Sequence, residues 1–113
     1  MRKIILVAGA RPNFMKIAPI LRVIRAHFLE TLQVVLVHTG QHYDYEMSQI
    51  FFEELNIPRP NYFLGIGSAS HAMQTARIMV AFEEVCLVEN PEIVVVVGDV
   101  NSTVAAALVA KKL

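Results

Sequence analysis

Residues 3–19 read KIILVAGARPNFMKIAP, an apolar run that ends in a glycine and leads into two cations and a second apolar pattern. The run from Lys3 to Ala8 is rich in branched residues and has no polar alternation, which is typical of a strand buried on both faces. Beyond it, Phe14, Ile17 and Leu21 recur at steps of three and four, the spacing of one face of a helix. The stretch therefore predicts a buried strand, a tight turn and a helix.

The alternation of strand and helix continues along the chain. The other predicted strands are Val34–His38, Tyr62–Leu64 and Ile93–Val97. The other predicted helices are Tyr45–Leu55 with Asp44 as N-cap, a long helix from the cap Ser70 to Glu89, and Val104–Leu113. Pro19 is expected to kink the first helix or to mark where its regular part begins.

Strands that alternate with helices imply a parallel sheet with right-handed crossovers. We therefore predict an α/β fold, a Rossmann-like three-layer parallel sheet of four strands in the order 3-2-1-4. Because the fourth strand, Ile93–Val97, is wholly apolar, we expect it to be central and the residue that follows it to be rigidly placed.

The composition is that of a globular protein. The 113 residues are 55% hydrophobic and 18% charged, with a formal net charge of zero, which argues against a nucleic-acid partner held by general electrostatics. No run approaches the roughly 18 apolar residues of a membrane span, and the first residues fit a strand better than a targeting segment. The single cysteine, Cys86, cannot form an intramolecular disulfide, so we predict a buried thiol and a cytoplasmic protein.

Polar residues collect where three predicted strands end. These clusters are Gly9–Asn13 with Lys16 one turn on, Thr39–His42, and Gly98–Thr103. The carboxyl ends of parallel strands line one edge of the sheet, where ligands bind. Each cluster also has a purely structural interpretation. The glycines permit tight turns, and one of Asn101, Ser102 and Thr103 caps a helix. Asp99 is then a helix cap or a solvated turn residue, and His42 is a structural hydrogen-bonding residue.

The two cations after the first strand favour a bound anion. Arg11 and Lys16 flank a predicted helix N-terminus, which already carries partial positive charge and free N–H groups. Phosphate is the natural ligand, because arginine grips it with two donors.

Several common motifs are absent. The first strand is not followed by G-x-G-x-x-G, which disfavours a dinucleotide oxidoreductase, and no G-x-x-x-x-G-K-[ST] indicates a P-loop. His38 and His42 are four residues apart but straddle a strand end and a loop, so a shared zinc is not expected. We predict no metal and no cofactor.

Three motifs in order carry a family resemblance: GARPNFMKIAP (9–19), HTGQHYDYEM (38–47) and VVGDVNSTVAAALVAKKL (96–113). They resemble the non-hydrolysing UDP-N-acetylglucosamine 2-epimerases, whose usual forms are G-T-R-P-E-x-x-K-x-x-P, T-G-Q-H and G-D-T-x-[ST]-T. The segment QTARIM (74–79) is similar too. The resemblance spans the whole chain, but only the first part of the family's length.

The resemblance implies a glycosyltransferase-B-like architecture with the active site between two Rossmann-like domains. Residues 1–113 would be part of the N-terminal domain, and the C-terminal nucleotide-binding domain would lie outside this chain. The implied reaction interconverts UDP-GlcNAc and UDP-ManNAc by eliminating UDP to a glycal and adding it back. It needs cations on the diphosphate and carboxylates for proton transfer.

By the same resemblance, Arg11 and Lys16 match basic residues that contact the nucleotide sugar, and Asp99 matches a catalytic, substrate-binding carboxylate. Gln41 and His42 match a loop near a second, regulatory UDP-GlcNAc molecule. The full-length form is expected to be a homodimer active in cell-envelope polysaccharide biosynthesis.

Three positions depart from the family pattern: Ala10 replaces threonine, Asn13 replaces glutamate and Val100 replaces threonine. Asn13 is expected to cap the first helix, and the loss of a carboxylate there leaves the pocket more positive. Because further catalytic residues would lie beyond Leu113, residues 1–113 alone are expected to be inactive. The alternatives are a hydrolysing 2-epimerase and a non-catalytic nucleotide-sugar-binding module.

Overall fold

A computed structural model describes residues 2–98 and 100–113, and the side chain of Arg11 lies outside that description. Strands and helices alternate as predicted, except that two helices lie between the second and third strands. In chain order the elements are β1 (Arg2–Ala8), α1 (Arg11–His27), β2 (Leu32–His38), α2 (His42–Met47), α3 (Gln49–Glu54), β3 (Tyr62–Phe63), α4 (His71–Glu89), β4 (Ile93–Val96) and α5 (Asn101–Lys112).

The four strands form one parallel sheet in the order β3-β2-β1-β4, which confirms the predicted topology. Ile4 of β1 pairs with Val34 of β2 on one side and with Ile93 of β4 on the other. The shorter β3 pairs with the end of β2 through Val37–Tyr62 and His38–Phe63. All four carboxyl ends therefore lie at the same edge of the sheet.

Both faces of the sheet are covered by helices because the strands are apolar on both sides. Leu6 and Ala8 of β1 pack with Phe14 and Ile17 of α1 and with Phe52 of α3. On the opposite face, β1 and β2 pack against α4 and α5. The strands contribute Ile5, Val7, Val35 and Val37, and the helices contribute Phe82, Val85, Cys86, Ala106 and Val109. Cys86 is a free buried thiol, as predicted, and burial raises its pKa.

The second predicted helix was wrong in its extent and its cap. Two short helices, α2 and α3, replace the single helix Tyr45–Leu55, and Ser48 lies between them with φ −113° and ψ 14°. The N-cap of α2 is Gln41, and Asp44 is its third residue. The Asp44 Oδ2 accepts a hydrogen bond of 3.0 Å from the Gln41 backbone N–H, because an acidic residue at this position can reach back to a free N–H group of the first turn.

In the sheet of the described residues β4 lies at an edge, as the order 3-2-1-4 requires, so within these residues it is not central as expected. Among the described strands it pairs only with β1, and none of its residues is fully buried. Around Pro19, by contrast, α1 runs unbroken from Arg11 to His27. The regular part of α1 therefore begins before Pro19, with Pro12 in the first turn, where its missing N–H costs nothing.

Candidate functional site

A polar cavity of about 470 Å³ opens at the carboxyl edge of the sheet. It lies above the ends of β1 and β2, and its walls come from the loop after β3 and from the start of α5. Its lining includes Gly9, Ala10, Thr39, Gly40, Gln41, Gly67, Ser68, Gln74, Val100, Asn101 and Ser102. Members of all three polar clusters predicted at this edge therefore line one cavity.

Gly9 lines the cavity at a position that has no room for a side chain. A Cβ atom at this position would lie 2.1 Å from the Thr39 Oγ1 and 2.6 Å from the Ser102 Oγ. Those two buried hydroxyls are 2.9 Å apart and share a hydrogen bond that links the end of β2 to the first turn of α5. The close approach, rather than a turn alone, explains the glycine.

The helix-capping role considered for Asn101, Ser102 or Thr103 was wrong. The N-cap of α5 is Val100, and none of its side-chain atoms can cap a helix. Ser102 is instead bound to Thr39, and the Thr103 hydroxyl donates to the Val97 carbonyl at 2.9 Å. Both hydroxyls therefore bond to residues outside α5 and do not cap its N-terminus.

Asn101 and Gln74 form a polar contact that the sequence did not predict. The Asn101 Nδ2 lies 2.7 Å from the Gln74 Oε1 and 3.1 Å from the Nδ1 of His71. The Gln74 Nε2 also reaches the Gly67 carbonyl at 3.4 Å. The segment QTARIM, noted only for its resemblance, was the available signal, since Gln74 is its first residue. Its side chain ties α4 to α5 at the cavity wall.

The turn after β4 is held by two side chains. The Val97 carbonyl accepts hydrogen bonds from Thr103 at 2.9 Å and from the Asn13 Nδ2 at 3.3 Å. Gly98 follows with φ +83°, and a Cβ there would lie 2.8 Å from that same Asn13 nitrogen. Asn13 is thus buried inside α1 rather than at its cap, contrary to expectation. Asp99, the predicted catalytic residue, lies outside the described residues.

The two predicted cations occupy different parts of α1. Arg11 is its first residue and directly follows Ala10, the N-cap, which lines the cavity. The Arg11 side chain lies outside the described part of the structure. Lys16 is an exposed residue five positions further along α1 and is not among the residues that line the cavity.

Gln41 and His42 are adjacent in sequence but face different surroundings. Gln41 lines the cavity, whereas His42 lies outside it, with its ring 5.0 Å from the Phe63 ring, centre to centre. The His42 Nδ1 is 2.9 Å from the Glu46 Oε1, and the Nε2 contacts the Arg59 guanidinium. In this arrangement both ring nitrogens of His42 have protein partners.

His38 is a buried residue that binds the backbone of Gly40, which lines the cavity. Its ring is 4% exposed and packs 5.1 Å from Phe14 and 5.6 Å from Phe63, measured between ring centres. The Nδ1 accepts a hydrogen bond of 2.9 Å from the Gly40 backbone N–H. Burial lowers the pKa of His38, and the nearby Asp44 carboxylate opposes that effect only in part. A neutral His38 therefore holds the backbone of a cavity-lining residue.

Two helix N-termini favour an anion in the cavity, whereas the Asp44 carboxylate, which also lines it, opposes one. The N-caps of α1 and α5, Ala10 and Val100, both line it, and neither helix has an acidic residue in its first turn. Each helix N-terminus carries about half a positive elementary charge, and two such termini at one cavity add to each other.

Comparison with known proteins identifies the relatives of this chain. The family model described as UDP-N-acetylglucosamine 2-epimerase matches residues 26–113. A UDP-N-acetylglucosamine 2-epimerase homolog from Methanococcus maripaludis is 53% identical over 98% of the chain. A UDP-2,3-diacetamido-2,3-dideoxy-D-glucuronate 2-epimerase from Pseudomonas aeruginosa is 47% identical over the same share. The chain spans 30% and 31% of the lengths of these two relatives.

A solved structure supports the same relationship. The UDP-GlcNAc 2-epimerase of Methanocaldococcus jannaschii, crystallised in complex with UDP-GlcNAc and UDP, is 44% identical and superposes with a TM-score of 0.86. The match covers 99% of this chain and 30% of that one. The family model, the sequence relatives and the fold agree, and the chain therefore belongs to the UDP-N-acetylglucosamine 2-epimerase family.

Proposed function

We propose that residues 1–113 form part of the N-terminal Rossmann-like domain of a UDP-GlcNAc 2-epimerase with a glycosyltransferase-B-like architecture. A second, nucleotide-binding domain would complete the site from the other side of the cleft. The observation that carries the proposal is the polar cavity where the N-termini of α1 and α5 meet at the carboxyl edge of a sheet of this family.

The substrate is a UDP-sugar whose diphosphate lies against these helix N-termini. Arg11, as the first residue of α1, supplies a cation at the same place, and Lys16 adds a second positive charge to this helix. Charge on the leaving diphosphate grows as the bond to the sugar breaks, so cations there stabilise the transition state more than the ground state.

The reaction is an isomerisation in two balanced halves. A base removes the proton from C2 of the sugar while the C1–O bond breaks, and UDP leaves with the electron pair to give a glycal. UDP then adds back to C1, and C2 receives a proton on the opposite face, which yields UDP-ManNAc. Asp99 is the residue of this chain assigned to proton transfer. Gln41 and His42 belong to a neighbouring regulatory loop.

The full-length protein that contains these residues provides the test. Incubated with UDP-GlcNAc in heavy water, it should yield UDP-ManNAc with deuterium at C2, which NMR detects. Release of UDP with free ManNAc would instead identify a hydrolysing 2-epimerase. Binding of UDP-GlcNAc without turnover or exchange would identify a non-catalytic nucleotide-sugar-binding module.

A second substrate has a specific argument in its favour. One of the two sequence relatives described above is a 2-epimerase of UDP-2,3-diacetamido-2,3-dideoxy-D-glucuronate. That sugar differs from GlcNAc at C3 and C6 but undergoes inversion at the same carbon. Assays of both sugars under identical conditions decide between them, and the substrate with the higher kcat/KM is the assigned one.

The setting follows from the same proposal. The protein acts in the cytoplasm as a homodimer, without nucleic-acid or membrane partners, and supplies a UDP-sugar for cell-envelope polysaccharides. Within the described residues, no helix combines the length and apolarity needed to cross a bilayer. The homodimer is tested by measuring the mass of the full-length protein in solution.

A further inference from the structure

Two buried hydroxyl groups line the cavity between the end of β2 and the first turn of α5. The Thr39 Oγ1 and the Ser102 Oγ are 2.9 Å apart, and the two residues are 4% and 7% exposed. Both oxygens lie against Gly9, where a Cβ atom would come within 2.6 Å of each. We call these two side chains the hydroxyl pair.

The hydroxyl pair carries one more proton than its own hydrogen bond uses. Each hydroxyl group can donate once and can also accept, and either oxygen can be the donor in the shared bond. Within residues 2–98 and 100–113, neither oxygen has a second hydrogen-bond partner, and the Asp44 Oδ2 is bonded to the Gln41 N–H instead. Because a buried donor without an acceptor is costly, the remaining O–H group is available to a ligand in the cavity.

The surroundings of the hydroxyl pair indicate which kind of ligand atom accepts this proton. Ala10 and Val100, the N-caps of α1 and α5, line the same cavity, and Ser102 is the second residue of α5. Helix N-termini hold anionic oxygens such as those of phosphate. A hydrogen bond to a charged oxygen is also stronger than one to a neutral acceptor, so an anionic oxygen is the favoured partner of the pair.

We propose that the hydroxyl pair is a phosphate-binding element that donates one hydrogen bond to the diphosphate of the UDP-sugar. The inference rests on the proposed function and adds two ligand-binding residues to it, Thr39 and Ser102. Rotation of the two O–H groups reverses their shared bond, so the donor to the ligand can come from either oxygen. The pair can therefore follow a phosphoryl oxygen that moves as UDP leaves the sugar and adds back.

This arrangement makes the two hydroxyls redundant, which separates a binding role from a purely structural one. In the full-length protein, Thr39→Val leaves the Ser102 hydroxyl free to donate to the ligand, and Ser102→Ala leaves that of Thr39. Each single variant should therefore keep its affinity for UDP within about threefold, whereas the dissociation constant of the double variant should rise by about 10-fold or more. Replacing both hydroxyls by apolar groups leaves neither unpaired, so the double variant is expected to fold, which urea unfolding checks.

Two further variants serve as controls. Thr39→Ser/Ser102→Ala retains one hydroxyl and should bind UDP like the wild type, since a single hydroxyl suffices. Thr31→Val removes a hydroxyl that bonds to the Phe28 carbonyl on the exposed surface, and it should leave binding unchanged. Isothermal titration calorimetry with UDP and with UDP-GlcNAc, at one fixed salt concentration, measures all the affinities.

The possible outcomes separate this proposal from the proposed function. A folded single variant that loses as much affinity as the double variant, or a double variant that binds UDP like the wild type, would overturn the role of the hydroxyl pair and leave the proposed function intact. A loss confined to UDP-GlcNAc would place the pair against the sugar and overturn its assignment to the diphosphate. A wild-type protein that binds neither UDP nor UDP-GlcNAc would overturn both proposals.

Discussion

Asp99 is the residue on which the proposed chemistry depends most. Gly98, with its positive φ, lets the backbone turn sharply after β4, and Val100 on the other side of Asp99 lines the cavity. In the full-length enzyme, Asp99→Asn keeps the shape and a hydrogen-bonding group but removes the base. Turnover should fall by about 100-fold or more, while affinity for UDP changes little.

The decisive readout for Asp99 is exchange of the C2 hydrogen with heavy water, followed beside turnover. Both should fall together in Asp99→Asn if this carboxylate moves the proton. Near-normal exchange and turnover would assign Asp99 to the turn after β4, a structural interpretation that its sequence position also allows.

Asn13 is expected to position the turn that carries Asp99. Its amide donates to the Val97 carbonyl, and among the described residues its buried Oδ1 has no partner. Asn13→Asp replaces the donor by a carboxylate that repels the same carbonyl, so kcat of the full-length enzyme should fall at neutral pH. It should partly recover towards pH 5, because a protonated carboxyl group can donate again. A pH–kcat profile parallel to that of the wild type would contradict this role.

His38 should make stability depend on pH. Its folded pKa is lowered from the usual value of about 6.5, so the unfolded chain takes up the proton first as the pH falls. Stability is thus complete above about pH 6.5 and declines below it, towards the lower folded pKa. Denaturant unfolding between pH 7.5 and 5 measures this on full-length protein.

The matched variant for His38 is His38→Asn. The asparagine Oδ1 can accept from the Gly40 N–H but does not titrate in this range, so the decline between pH 6.5 and 5 should be shallower than in the wild type. An identical decline in both proteins would assign the pH dependence to other groups.

At the scale of elements, the strands were predictable because each is a continuous apolar run, and the two-sided burial of β1 follows from that pattern alone. The break between α2 and α3 at Ser48 was not predictable, because the helical spacing of apolar residues continues across it through Phe51 and Phe52. The hydroxyls of Ser102 and Thr103 were misassigned for a related reason. Local sequence indicates that a helix begins there, but not that Thr39 and Val97, the residues directly after β2 and β4, bind these hydroxyls.

Glu89, the last residue of α4, joins this helix to β1 and β3 away from the cavity. Its carboxylate is 2.9 Å from the Lys3 Nζ of β1 and accepts a hydrogen bond from the Tyr62 hydroxyl of β3. The Tyr62 hydrogen bond, and then Lys3, lower the pKa of Glu89. The stabilisation is therefore present above about pH 4.5 and is lost as the pH falls through the lower folded value.

Tyr62→Phe tests this junction. Removing the hydroxyl should destabilise the full-length protein by about 1 kcal/mol at pH 7, the usual size of one hydrogen bond, and should reduce the acid sensitivity attributed to Glu89. Tyr43→Phe is the control, since Tyr43 is 63% exposed and lines the cavity at the carboxyl edge of the sheet. Equal effects of the two substitutions in urea unfolding would exclude a specific role for the junction.

At the scale of the whole molecule, the chain is compact but leaves one edge of its sheet and the neighbouring apolar side chains exposed. The Cα radius of gyration is 13.4 Å, close to the roughly 13 Å expected of a compact domain of this length. Yet among the described strands β4 lies at an edge, with Ile93 48% exposed, and Val104 and Leu108 of the neighbouring α5 are also exposed. An unpaired edge beside exposed apolar side chains is a template for strand addition.

We therefore expect the polypeptide of residues 1–113, prepared alone, to associate as its concentration rises. Ile93→Lys should lower the association, since a charged side chain on an edge strand disfavours pairing, whereas Val23→Lys should not. Sedimentation velocity follows both variants. A wild-type polypeptide that stays monomeric at high concentration and unfolds cooperatively would show that the β4 edge does not drive association.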